Sequence, residues 1–582
     1  MLFSITITGN AGAGKAIRVD LDKVNDLKAV TGIVESDIWE YNDIFSRIIA
    51  DHADDIEYLI SPTLTRIDGV TLFYDKLCRY IYCLEVIRTH EDAVIVFNNI
   101  DPKIAQAIVS RMHGSGRRVR LSDRAALCAH DIMKWLKFLL NIPRTVLLLS
   151  FFILASRVFL RQQKGLAIDS AFITYYDYRS TRDGRHREEY FDPLVQWMIK
   201  NGQKVAIFNK LLHSNNIRLF FTYLSQIAHT PTGYHNTVNY RYCKLGDIFK
   251  SLFFGLVKKP RIEAALAFKG QDITRLTALF LRDDYRNLAW WLNTYLDYHF
   301  TTNILKSLRI ARIIYPYENH SWEKTVIKAR NEVSPSTRLV AFQHTSFSYK
   351  LLQYFPGKYE RDLPIFPDKI LTVGKTLKDE LERKGHYPAG LIEEACALRH
   401  PYLFSDAGPR GAKTLSRSVA YAFSFDSKNY DTILANLRAV FSDPSYTVYL
   451  KFHPDVVDFL NLKESLPSHF VNARKIPWQE VFGKIDILLY DDNSLAIEAL
   501  KYDVAVVYFA LTGQIYNTDR LFGYGSKKIV IDSIEQFREF LGSFYGTPSS
   551  ARDEAAKTAE YNRRYLLDYF SPINEGVFAK FL

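Results

Sequence analysis

The chain has 582 residues, of which 48% are apolar, 24% charged and 14% aromatic. That length holds roughly three to five domain-sized units. The apolar share excludes a chain left disordered for want of surface to bury, and 20 Pro with 27 Gly are too few for a collagen-like or linker-dominated one. Lys and Arg (75) exceed Asp and Glu (64) by 11, which favours an anionic partner such as a membrane surface, a phosphorylated substrate or a nucleic acid.

Residues 1–21 alternate apolar and small polar positions as two strands around a glycine-rich turn at residues 9–14. Gly9 to Lys15 fits the phosphate-loop spacing G-x-x-x-x-G-K. Such a loop needs a Ser or Thr hydroxyl next and opens a helix; here Ala16 follows and AIRVDL continues as a strand. A hairpin turn therefore accounts for the glycines. No basic stretch followed by a long apolar one opens the chain, so no signal peptide is expected. Five scattered Cys without metal or redox spacing read as free thiols in a reducing compartment. Both features point to the cytoplasm. Residues 93–97 then read as a buried strand, 101–113 as a helix capped by Asp101, and 118–121 as a strand.

Residues 137–160 read KFLLNIPRTVLLLSFFILASRVFL. Only 145–156 is free of charge, short of the roughly 20 residues that a membrane span needs. Arg144 and Arg157 bound it, and Arg117, Arg118, Arg120, Arg161 and Lys164 crowd the flanks. A buried core helix and a helix in a membrane interface both fit, the second because basic flanks favour anionic headgroups. A transmembrane span fits less well.

Further strands are expected at 171–175, 205–208, 311–316, 339–342 and 369–373, with helices at 189–201, 322–330 and 375–384. Residues 213–300 are helical and aromatic with little strand signal. The segment DAGPRGAKTLSRS at 406–418 is the best linker in the chain. After it come strands at 418–425, 447–452, 485–490 and 504–509 between helices at 430–441, 478–482 and 495–501. Strands alternating with helices specify a parallel sheet in an α/β fold. The expected organisation is an N-terminal α/β extension (1–130), a hydrophobic and basic helical segment (131–165), a Rossmann-like acceptor-side domain with a helical insertion (166–405), a Rossmann-like donor domain (406–548) and a C-terminal helix (549–582).

Four polar clusters fall at the C-terminal ends of expected strands, where open α/β sheets bind ligands. Lys451-Phe-His453-Pro454-Asp455 places a His before a turn-fixing Pro. Asp491-Asp492-Asn493-Ser494 opens a helix whose N-terminus suits an anion or simply takes a cap, with Glu498 one turn on, able to reach a ribose hydroxyl. Tyr317-Glu318-Asn319-His320-Ser321-Trp322-Glu323 offers Glu318 as a general base and Glu323 as a first-turn carboxylate. Phe425-Asp426-Ser427-Lys428 ends another strand, and Gln343-His344 adds a further polar strand end. Candidate catalytic groups are Glu318, Asp426 and His344. Candidate donor contacts are Lys451, His453, Asp492, Asn493, Ser494 and Glu498.

The His-Pro after a strand, followed by Asp-Asp-Asn-Ser opening a helix with an internal Glu, resembles the nucleotide half of GT-B glycosyltransferases that use CMP-activated sugars. The likeness is to bacterial sialyltransferases and, more closely, to the Kdo-type transferases of capsule, O-antigen and lipopolysaccharide synthesis. It covers roughly residues 165–540, and the Tyr-Glu-Asn-His-x-Trp-Glu segment with Phe-Gln-His resembles the first half of such enzymes. The resemblance implies His453 and Ser494, with Asn493, on the CMP phosphate and ribose. It implies Glu318 on the acceptor hydroxyl of an inverting enzyme, or Asp426 as the attacking carboxylate of a retaining one. An Asp/Glu-Asp/Glu-Gly acid motif, expected of a plain sialyltransferase, is missing before His453. The implied reaction moves a 2-keto acid sugar, such as Kdo or a sialic-acid-like sugar, from CMP to a growing surface glycan. No cofactor and no metal are expected, since one phosphate carries less charge than a pyrophosphate. The implied partners are a nucleotide-sugar donor, a lipid-linked glycan acceptor and a membrane surface, which puts the protein in the cytoplasm, peripheral at the inner membrane. The rivals are a CDP-glycerol or CDP-ribitol phosphotransferase of the same architecture and a non-catalytic GT-B-like scaffold. Nucleic acid is not expected, because no reading motif accompanies the basic residues.

Overall fold

The computed structural model describes residues 3–8, 16–21, 24, 27–113, 118–121, 124–161, 165–176, 180–182, 185–211, 216–230, 232–404, 415–424, 430–452, 466–502, 504–510, 515–546 and 551–582. Two of the candidate residues, Asp426 and His453, lie outside them, as do Pro454 and Asp455.

Near the N-terminus, β1 (Phe3–Thr8), β2 (Ala16–Asp20), β3 (Val94–Ile100) and β4 (Arg118–Leu121) form a four-stranded sheet in the order β2-β3-β1-β4. The expected hairpin does not form. β3 lies between β1 and β2, pairing antiparallel with β1 and parallel with β2. β1 and β2 do not pair with each other, and the pairing of β2 with β3 spans a separation in sequence that local pattern cannot show. Ala16 does continue as a strand, so no helix follows Lys15. Asp101 caps the helix Pro102–Met112 through the amide of Lys103 at 2.8 Å.

The second sheet has seven strands, all parallel: β5 (Ala167–Tyr176), β6 (Val205–Leu211), β7 (His235–Val238), β8 (Arg309–Pro316), β9 (Arg338–Gln343), β10 (Lys369–Thr372) and β11 (Ile392–Glu394). Their order is β11-β10-β9-β8-β5-β6-β7. The third sheet has six parallel strands: β12 (Ser418–Ala422), β13 (Thr447–Lys451), β14 (Phe470–Asn472), β15 (Ile487–Tyr490), β16 (Ala505–Phe509) and β17 (Ile529–Ile531). Their order is β14-β13-β12-β15-β16-β17. Numbered within each sheet, both run 3-2-1-4-5-6, the Rossmann order, with a seventh strand added to the first. The strands SVAYA and ILLY are buried along their whole length, as a parallel sheet covered on both faces requires. The chain is thus an α/β protein with two Rossmann-like domains in a GT-B-like arrangement.

Among helices, α1 (Arg124–Phe159), α2 (Ile217–His229), α3 (Leu245–Val257) and α4 (Thr274–Arg286) precede or interrupt the seven-stranded sheet. α5 (Ser321–Val333) follows β8, and α6 (Leu495–Ala499) follows β15. The N-terminal region shares one apolar core with the seven-stranded sheet. A fully buried ion pair, Arg66 to Glu360 at 2.6 Å, joins them, and Asn42 donates to the carbonyl of Phe355 at 2.9 Å. The C-terminus returns from the six-stranded domain to the seven-stranded one. Tyr565 donates to the carbonyl of Phe522 in the former. The amide of Ser571 then donates to the carbonyl of Val373 and Phe581 packs on Phe342 in the latter. Gly374 makes this possible, because a Cβ there would meet the backbone of Tyr569 at 2.1 Å. All five cysteines are free thiols.

Candidate functional site

In a Rossmann order, strands 1 and 4 are neighbours whose connections leave in opposite directions, and a crevice opens between them at their C-terminal ends. In the seven-stranded sheet these are β5 and β8, and in the six-stranded sheet β12 and β15. Tyr317 to Glu323 follows β8, and Asp491 to Ser494 follows β15. Glu318 and the Asp492–Ser494 group therefore sit at the two switch points, a stronger placement than strand ends alone, whereas His344 follows β9 and Lys451 ends β13.

Glu318 is aimed by the turn after β8. Asn319 takes the left-handed conformation (φ 55°), which Asn tolerates better than most residues, and its side chain donates to the carbonyl of Gln353 at 2.6 Å. Glu323 accepts the amides of Glu318 and His320 at 3.0 and 2.9 Å, so it caps α5 as expected while Glu318 is left for other work. One Glu318 oxygen lies 3.0 Å from Nε2 of His320 and the other 3.7 Å from Nε2 of His344. Burial alone would raise the Glu318 pKa. The hydrogen bond and charge of His320, with His344 and Arg399, outweigh it and bring the group down to about 2. His320 moves up: burial opposes its charge, but Glu318 more than offsets that. His344 is pushed down to about 3, chiefly by burial and only partly offset by Glu318, and stands edge-on to the Tyr190 ring at 4.7 Å. The centre is therefore an ionised carboxylate between an imidazole whose protonation it favours and a second that burial keeps neutral. Nδ1 of His344 and Oε2 of Glu323, both buried, have no hydrogen-bond partner among the described residues.

Arg399 was not a sequence candidate. It pairs with Glu189 at 3.0 Å and lies 4.9 Å over the Tyr190 ring. Its charge acts on Glu318, His344 and Glu498 together. With Arg187, Glu188, Asp192, Pro193, Leu398, Pro401 and Tyr402 it lines a cleft of about 270 Å³. Arg399-His400-Pro401 is a second basic His-Pro segment, but the strand before it is only three residues long and leaves no periodic signal.

The groups after β15 are engaged differently. Arg520 donates to Asp492 through Nε (3.1 Å) and Nη2 (2.7 Å), and through Nη1 to the backbone and side-chain oxygens of Ser346 at 3.0 Å. Lys350 lies 3.7 Å from Asp492. Asp492 thus ties the loop after β9 to the six-stranded domain. Asn493 donates to the carbonyl of Phe423 at 3.1 Å and accepts the amide of Leu495 at 3.0 Å, so Asn493, not the Ser494 hydroxyl, caps α6. Glu498 accepts a 2.5 Å hydrogen bond from Tyr402 and is buried rather than facing solvent. Lys451 gives its ammonium to the carbonyls of Ala473 and Arg474, each at 3.0 Å, and of Ile476. Asp491, fully buried, is pushed up to about 7, first by burial and then by Asp492, against the amide of Asp492. The structure therefore brings Glu318, His344 and Glu498 around Arg399, places Asp492 between domains, and holds Asn493 and Lys451 within their own domain.

No protein-family model matches the chain, and no curated protein matches its sequence. Solved structures that it resembles include the UDP-GlcNAc 2-epimerase of Neisseria meningitidis bound to UDP-GlcNAc, 11% identical over 71% of this chain and 98% of that one, with a TM-score of 0.40. The glycosyltransferase SnogD from Streptomyces nogalater aligns at 14% identity over 71% and 98%, TM-score 0.36. A single-residue variant of the wall teichoic acid polymerase TagF aligns at 10% identity over 78% and 96%, TM-score 0.36. The two-domain class of the chain rests on its own strand orders.

Proposed function

We propose that the protein is a glycosyltransferase that takes a sugar from a nucleotide-activated donor and passes it to a glycan hydroxyl. The observation that carries this reading is the Glu318 carboxylate, ionised between His320 and His344 at the switch point of the first Rossmann-like domain, with Arg399 beside it. In the reaction, Glu318 accepts the acceptor's hydroxyl proton as that oxygen bonds to the anomeric carbon, once His320 has given up its own proton, because the His320 pair is what holds the carboxylate down to about 2. The bond from that carbon to the phosphate oxygen breaks, and the nucleotide leaves with the electron pair. Arg399 offsets the negative charge gathering nearby.

The donor is a CMP-activated 2-keto acid sugar in this reading. Support comes from the His453-Pro454 and Asp491-to-Ser494 resemblance and from a cation suited to a donor with one phosphate and one carboxylate. The acceptor is a lipid-linked glycan on the cytoplasmic side of the membrane, and no metal is required. Thermal unfolding with CMP, CDP, UDP, GDP and ATP tests the donor: a ligand at about 100 times its Kd adds about 2.7 kcal/mol. A shift with CMP that His453→Ala removes is expected; a shift with UDP or GDP alone would overturn the donor class. The placing of His320 and His344 on either side of one carboxylate favours a second reading, phosphotransfer from a CDP-linked polyol. Release of CMP from CDP-glycerol or CDP-ribitol, with no turnover of CMP-sugars, would establish it.

A further inference from the structure

The helix α1 is 36 residues long and includes the expected apolar stretch in one unbroken element. Its span Leu127–Phe159 is long and apolar enough to cross a membrane, yet only 22% of its most apolar window is buried. The helix is tied to the seven-stranded domain along its length. Near its start, Asp131 pairs with Arg282 (3.1 Å) and Arg286 (2.9 Å) of α4, and Phe138 packs on Tyr285. Near its end, Phe152 stacks on Phe220 of α2 at 4.1 Å, and Arg157 donates to the carbonyl of Cys243 at 3.0 Å. Asp131 and Arg157 are about 39 Å apart along a straight helix, more than a hydrocarbon core of about 30 Å. A helix fastened at both ends to one folded domain lies along its surface.

The face turned from the domain is apolar. Leu140, Leu147 and Val158 are 71%, 70% and 82% exposed, and Leu136, Leu139 and Leu154 are also exposed. α3 packs against α1 and adds exposed Phe249, Phe253, Leu256 and Val257. Apart from Asp131, paired with α4, and the buried Asp247, the charge on α1 and α3 is all basic. Residues 132–168 contain six Lys and Arg and no Asp or Glu; residues 193–246 contain six and none; residues 248–262 contain four and none. Lys137, Arg144, Arg161, Lys250, Lys258 and Lys259 are exposed.

We propose that α1 and α3 together form a docking face for an anionic lipid bilayer, lying in its interface with the apolar rows among the acyl chains and the basic residues at the headgroups. The face locates the membrane side of the protein whether or not the transferase reading holds, since lipid binding is measured without turnover. The test is co-sedimentation of the full chain with vesicles of phosphatidylcholine alone or mixed equally with phosphatidylglycerol. Binding to the mixed vesicles is expected, weakened by about 1 M salt, where the screening length falls to about 3 Å. The variant Leu140→Asp, Leu147→Asp, Phe253→Asp, altered only at exposed positions, should bind roughly tenfold less or worse with an unchanged unfolding temperature. Lys137→Glu with Lys259→Glu should cost about fivefold per position. No binding to mixed vesicles, or binding untouched by either variant, would overturn the proposal. So would a dimer held together by this face without vesicle binding. Resistance to alkaline carbonate extraction would also overturn it, by showing a helix that spans.

Discussion

The two switch points share one topology and use it differently. After β8 the polar groups converge on each other: Glu318 lies between two imidazoles, and Nδ1 of His344 has no partner among the described residues. After β15 the described polar groups are taken up by the fold itself: Asp492 by Arg520, and Asn493 by Phe423 and Leu495. One crevice holds groups poised for chemistry, and the other fastens the domains around it. A strand order fixes where a site can be; what the loop side chains bind decides what the site does.

That contrast can be broken by substitution. The largest stability effect is expected at the second switch point. Arg520→Ala removes the main partner of a nearly buried carboxylate and should cost about 3 kcal/mol of folding stability, judged from broken buried pairs, as read by chemical denaturation. Glu318→Gln should cost less, on the order of 2 kcal/mol at pH 7, because a carboxylate held down to about 2 is more stable ionised in the fold than in the unfolded chain, and the cost should fade as pH falls toward 2.

Next comes Asp491→Asn. The folded-state pKa of Asp491, about 7, lies above its ordinary value near 4. The folded protein therefore binds the extra proton, and its stability falls as pH rises from about 4 to 7. Asn, which keeps an acceptor for the amide of Asp492, should stabilise the protein at pH 8 by something on the order of 2 kcal/mol, with the gain fading toward pH 4. Thermal unfolding at both pH values reads it, and a gain independent of pH would contradict the burial argument.

A smaller effect is expected at Asn319. Ala in its left-handed position should cost about 1–2 kcal/mol, and Gly should recover the backbone part of that loss. If Asn319 aims Glu318, the Ala variant loses turnover beyond its loss of stability. The smallest and sharpest readout is the His320 titration by NMR. Its pKa is held up by Glu318, so Glu318→Gln should bring it down; an unmoved value would mean that the pair does not persist in solution.

Much of this architecture is legible in the chain. The strands ending at Pro316, Gln343 and Tyr490 are apolar runs bounded by polar clusters, and the clusters after Pro316 and Tyr490 lie where the switch points fall. The strands His235–Val238, Ile392–Glu394, Phe470–Asn472 and Ile529–Ile531 leave little trace, because three or four residues give almost no period. The pairing of β2 with β3 and the return of residues 570–582 to the seven-stranded domain are long-range choices made by packing. Arg399 carries no local signal, because its role depends on Glu189, Tyr190 and Glu318, distant in sequence. Lys451 reads as a donor contact by position, yet it closes a carbonyl cage after β14 that no local pattern announces.

The central claim is that Glu318 serves chemistry and not structure. The direct test is kcat and KM of wild-type and Glu318→Gln protein with whichever activated donor the ligand screen identifies. A general base contributes roughly 10²–10⁴-fold, so kcat should fall by at least about a hundredfold with KM for the donor unchanged and the variant still folded at the assay temperature. A variant that turns over within about threefold of wild type, or that fails only because donor affinity or folding is lost, would contradict the account.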